Sequence, residues 1–93
     1  MLKWPYKDPD EVLDYQVDWS PRLEAGDTII SSTFIPQYST NDLVIDQQIS
    51  TATTATVWLS GGTLGSVYTF VNRVVTDGGR TMDQSVSIQI KTK

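Results

Sequence analysis

Cysteine and histidine are both absent from this 93-residue chain. Without cysteine there is no disulfide framework and no thiolate zinc site. Without histidine the commonest general base and the commonest transition-metal ligand are missing. Cations are scarce too: seven Lys and Arg stand against eleven Asp and Glu, for a net charge of −4. Phosphate backbones and anionic bilayers attract basic surfaces, so neither nucleic acid nor a membrane is an expected partner. Long apolar runs are lacking. No stretch approaches the roughly 20 residues of a spanning helix. Met1-Leu2-Lys3-Trp4-Pro5 lacks the apolar run of a signal peptide, so no export address is expected.

What is present suffices for one core. The chain is 39% hydrophobic and carries three Trp, four Tyr and two Phe, too apolar for a disordered segment. Pro5 and Pro9 disfavour helix in the residues before them, so residues 1–12 read as an extended N-terminal arm. The rest, 13–93, reads as a single domain. Leu13, Tyr15, Val17 and Trp19 alternate with Asp14, Gln16 and Asp18, which predicts a half-buried strand. A β-branched run from Thr28 to Ile35 predicts a second, stopped by Pro36. Residues 43–54 hold one strand or two. Thr56 to Ser60 predicts another, and Gly61-Gly62-Thr63-Leu64-Gly65 reads as a loop between strands. Val67 to Val75 places Tyr68, Phe70, Asn72 and Val74 on one face. Asp77-Gly78-Gly79 signals a hairpin. Arg80 to Lys91 then alternates, with Met82, Val86, Ile88 and Ile90 inward. About seven short strands with turns every eight to twelve residues, and no amphipathic helix, predict an all-β, seven-stranded, immunoglobulin-like antiparallel sandwich. A small closed barrel is the alternative.

Candidate chemistry is thin. No histidine can activate the serines and threonines, and Lys3, Lys7, Lys91 and Lys93 lie at the chain ends, where they read as solubilising charges. No catalytic residue, cofactor site or metal site is therefore assigned, and no enzymatic activity is expected. Asp8, Asp10, Glu11 and Asp14 could supply oxygens to Ca²⁺, but the EF-hand spacing is absent and a solvated acidic turn is the simpler reading. The Gly61–Gly65 stretch lacks the Lys and following helix of a phosphate cradle. Trp4 and Tyr6 sit on the Pro-broken arm, where an aromatic either folds back on the core or anchors a partner. Tyr38, after Pro36, is a third candidate anchor. Trp19 and Trp58 lie on strand patterns and are expected in the core. Arg73 interrupts an apolar strand and is expected at its outer face or paired with Asp83.

Two resemblances add to this. Leu59, Gly62-Thr63, Leu64-Gly65 and then Tyr68, Phe70 and Asn72 look like the approach to the sixth strand of fibronectin type III domains. There a tyrosine hydrogen-bonds back to the preceding loop, which would make Tyr68 the corner tyrosine. The longer resemblance is to the phage fiber-tail adaptor proteins, small structural proteins of tailed phages and prophages. It is carried by Lys7-Asp8-Pro9-Asp10-Glu11-Val12-Leu13-Asp14-Tyr15, Val17-Asp18-Trp19-Ser20, Gly26-Asp27-Thr28-Ile29, Trp58-Leu59-Ser60-Gly61-Gly62-Thr63, Asn72-Arg73-Val74 and Thr76-Asp77-Gly78-Gly79-Arg80-Thr81-Met82-Asp83. It implies a component found in the virion, and in the host cytoplasm before assembly. Its partners would be other phage structural proteins, or further copies of itself on assembly. The alternative is an immunoglobulin-like accessory module that stacks Trp4, Tyr6 and Tyr38 on carbohydrate or at a cell surface.

Overall fold

The computed structural model describes residues 1–37 and 42–93; Tyr38 lies outside the described residues. The strands are β1 (Leu2–Lys3), β2 (Leu13–Asp18), β3 (Ile29–Pro36), β4 (Leu43–Ser50), β5 (Thr54–Gly61), β6 (Val67–Thr76) and β7 (Thr81–Gln89). They form a four-stranded sheet in the order β1-β7-β6-β3 and a three-stranded sheet in the order β2-β5-β4. All pairs are antiparallel except β1 with β7, which run parallel. The sandwich expected from the sequence is the observed architecture, but its seventh strand is not where the sequence suggested. Residues 43–54 hold one strand, β4, followed by a turn closed by Thr51 N to Thr54 O. The seventh strand comes from the arm, which is extended and built into the four-stranded sheet.

Period-two alternation sets which side chains meet between the sheets. Tyr15 and Val17 of β2 and Ala55, Val57 and Leu59 of β5 face Phe34 of β3, Phe70 and Val74 of β6, and Val86 and Ile88 of β7. Each large side chain so buried contributes roughly 1.5–3 kcal/mol. The same parity corrects one expectation. Ala55, Val57 and Leu59 point inward, so Trp58 points out of the three-stranded sheet and is only half-buried. Burial also pushes the Tyr15 hydroxyl up to about 12, because its phenolate would lack solvent there, with Glu11 and Asp14 adding repulsion.

Asn72 is a fully buried polar residue on the inward face of β6. Its Oδ1 accepts a hydrogen bond from Trp19 Nε1 at 2.8 Å, and its Nδ2 donates to Ser32 Oγ and Thr33 O on β3. Trp19 is 1% exposed and stands at the N-terminal boundary of the 3₁₀ turn Ser20–Arg22, with the Arg22 guanidinium 4.7 Å from its ring centroid. One side-chain bond thus ties the end of β2 to β6 across the sandwich.

The β6–β7 hairpin is fastened from outside. Asp27, before β3, accepts from Gly78 N at 2.8 Å, Thr28 N at 2.9 Å and Arg80 Nη1 at 3.2 Å. The Thr76 hydroxyl, followed by the Gly78 amide, holds its carboxyl below the usual carboxylate range. A Cβ on Gly78 would lie 3.0 Å from that carboxylate. Arg73 pairs with Asp83 at 2.8 Å across β6 and β7, both half-exposed.

Replacing Trp19 with Phe keeps most of the buried volume but strands Asn72 Oδ1. Trp19→Phe should therefore cost about 1–3 kcal/mol in urea unfolding. The double variant Trp19→Phe, Asn72→Leu should cost less than the sum of the two single changes.

Candidate partner-binding groove

The arm pairs with β7 through the ladder Leu2–Val86 and Lys3–Ser87, and beyond it through Trp4 N to Ser87 O at 2.9 Å, Lys7 N to Gln89 O at 3.1 Å and, just past the end of β7, Lys91 N to Lys7 O at 2.9 Å. Lys3 is opposite Ser87 and Lys7 opposite Ile90. The arm therefore spends one more residue than β7 over this stretch and bulges at Trp4-Pro5-Tyr6. Pro5 fits there because a bulged residue has no ladder bond to donate.

The bulge sends neighbouring aromatics in opposite directions. Trp4 turns inward, stacks on Tyr15 with ring centroids 5.0 Å apart, tilts against Phe34 at 6.0 Å and donates from Nε1 to Gln16 O. It is 8% exposed. Of the two roles open to an aromatic on the arm, folding back on the core or anchoring a partner, Trp4 takes the first: it closes the open side of the core between the arm and β2. Tyr6 turns outward, is 48% exposed, and carries Lys91 Nζ 4.2 Å from its ring centroid. Between Tyr6 and the outer face of the four-stranded sheet lies a groove of about 560 Å³, lined by Lys3, Pro5, Tyr6, Val67, Ser87 and Gln89 beside the edge of Trp4. Val67 is 61% exposed. No lining residue is acidic, and Lys3 and Lys91 flank the groove, so it is locally positive on a chain of net charge −4.

Behind the groove sits the corner that holds the arm in place. Lys7 is fully buried, with Nζ donating to Gly61 O at 2.6 Å and Asp8 O at 2.9 Å. Burial lowers its pKa, partly offset by the carboxylates of Glu11 and Asp8. It is no solubilising charge. The bridge to Ile90 brings its side chain to the end of β5, where the carbonyls of Gly61 and of the arm's own Asp8 solvate the ammonium. Gly61 takes a φ of 74°, and a Cβ there would lie 2.5 Å from Asp42 O. Tyr68 lies at the start of β6. Its hydroxyl accepts from Thr63 N at 2.9 Å and donates to Asp42 Oδ2 at 2.5 Å, while Thr63 Oγ1 donates to the same oxygen. Those two side-chain bonds, Thr63 first, lower the pKa of Asp42.

The carboxylates of Asp8 and Glu11 on the arm are engaged. Asp8 accepts from Asp10 N and Lys93 N, and Glu11 accepts from Asp8 N and pairs with Lys93 Nζ at 3.0 Å. Among the described residues no three acids, histidines or cysteines converge on one point. Sequence reasoning missed Lys7, Lys91 and Asp42. A lysine between two prolines carries no burial signal, and Asp42 acquires its role only when the β5–β6 loop folds against it. Asn72 was placed on the correct face, and the Trp19 N–H it needs was already there to be noticed.

Two packed sheets with a tyrosine at the turn into β6 define an immunoglobulin-like β-sandwich. The solved PKD domain of the KIAA 1837 protein is similar in fold, with a TM-score of 0.51 and 18% identity over 99% of this chain and 80% of that one. The family model described as podophage GP4 fiber-tail adaptor protein gp77 matches residues 7–89, and the chain belongs to this Gp77 family. No curated protein matches.

Trp4 and Tyr6 should separate cleanly on mutation. Trp4→Ala should cost about 3–5 kcal/mol in urea unfolding, as for other buried large-to-small changes. Tyr6→Ala should change stability by less than about 0.5 kcal/mol, as is usual at exposed positions.

Proposed function

We propose that this domain is a structural adaptor of a podophage tail, joining fibre to tail by protein–protein contact. The observation that carries this reading is the family match over residues 7–89. The groove supports it. An exposed tyrosine, an exposed valine and two flanking lysines suit an extended segment that brings an apolar side chain and a carboxylate. In this role the domain catalyses no reaction, needs no cofactor and binds neither nucleic acid nor membrane. It resides in the host cytoplasm until it is taken into the virion, where several copies act together.

The carbohydrate-module reading is weaker. Sugar rings stack on open aromatic faces, but Trp4 is buried and Lys91 covers one face of Tyr6.

Mass spectrometry and immunogold labelling of purified particles test the role. The domain should appear at the tail end, in fixed proportion to a tail protein. Its absence from infectious particles would overturn the proposal.

A further inference from the structure

The three-stranded sheet presents a second surface, on the side of the sandwich opposite the groove. Its strands read LDYQVD, TATVWLSG and LVIDQQIS and contain no Lys or Arg. Register places Asp14, Trp58 and Gln47 in one row across β2, β5 and β4, with Gln16, Thr56 and Ile49 in the adjacent row. A bulge between Ile45 and Gln47 shifts the alternation of β4. Val44 and Ile49 therefore share the outer face, and both are about half-exposed, at 48% and 49%. The centre of this face is the half-buried Trp58 indole, and its β2 edge carries Asp14 and Asp18.

Facing residues on paired strands have Cβ atoms roughly 5 Å apart. A cation over the Trp58 ring is then within reach of the Asp14 carboxylate, so cation–π attraction and ion pairing act on the same group. The chain uses the first of these contacts within itself, with Arg22 over Trp19 and Lys91 over Tyr6.

We propose that this face docks a basic segment of a partner protein, with an arginine or lysine laid over Trp58 and paired with Asp14, and apolar side chains against Ile49 and Val44. Charge selects this occupant. A second copy meeting the sheet face to face would oppose carboxylate to carboxylate with no cation between them. The inference rests on the adaptor reading for its expectation of a protein occupant. It adds that the two contacts of an adaptor lie on opposite sides of the sandwich and differ in charge.

The test places a photo-crosslinking amino acid at position 47, in place of Gln47, in particles assembled with the full chain. Irradiation should join it to a different tail protein, within a few residues of an Arg or Lys. Adding Asp14→Asn or Trp58→Ala should lower the crosslink yield about tenfold, with circular dichroism unchanged. Asp14→Asn, an isosteric surface change, keeps the test decisive should Trp58→Ala disturb folding. If the chain enters particles but crosslinks to another copy of itself, to an acidic segment or to nothing, the docking proposal fails and the adaptor reading stands. The docking proposal also fails if Asp14→Asn leaves the yield unchanged. If the chain is absent from particles, both fail.

Discussion

The hydrogen bond from Trp19 Nε1 to Asn72 Oδ1 is the constraint on which the arrangement of the two sheets depends. A buried amide without partners would cost about 1–3 kcal/mol. A one-residue slip of β6 would turn Asn72 outward and Arg73 into the core. The apolar alternation fixes which face is buried, and this bond fixes which residue of β6 lies over the end of β2. Asn72 also holds β3 through Ser32 and Thr33, so a single side chain joins three strands of both sheets.

Around that centre the arm completes the domain. Trp4 fills the gap between the sheet edges, and Lys7 anchors the arm to the end of β5. Side chains also meet backbone groups on the edge strands β3 and β2 and on the stretch of β7 that the two-residue β1 does not cover. Gln48 Oε1 accepts from Phe34 N on β3, Arg22 donates to Asp83 O on β7, and the Trp4 indole donates to Gln16 O on β2. Such contacts blunt an open edge against unwanted strand pairing, and β4 carries its bulge instead. In the proposed role, recognition then falls to side chains on the sheet faces.

How much of this was legible in the sequence varies by element. β2, β6 and β7 alternate cleanly, and their inward residues were read correctly because period two is a direct consequence of strand geometry. Trp58 was misread because its size suggested burial while its neighbours Val57 and Leu59 already occupied the inward parity. β1 was missed: two residues carry no periodicity, and its pairing depends on a partner more than eighty residues away. The groove could not be read at all. It exists because the arm bulges by one residue against β7, a relation between distant segments. Tyr6 was named as an anchor candidate, but Lys91 and Val67 came from elsewhere in the chain.

In the proposed role the sandwich is a rigid spacer with two dissimilar faces, a lysine-flanked groove and an acidic sheet bearing Trp58. Electron cryomicroscopy of the assembled tail tests that claim most directly. The account predicts density for this domain at the fibre–tail junction, with the Tyr6 groove against one protein and the Trp58 face against another. A junction in which either face is open to solvent, or in which both faces meet the same protein, would contradict it.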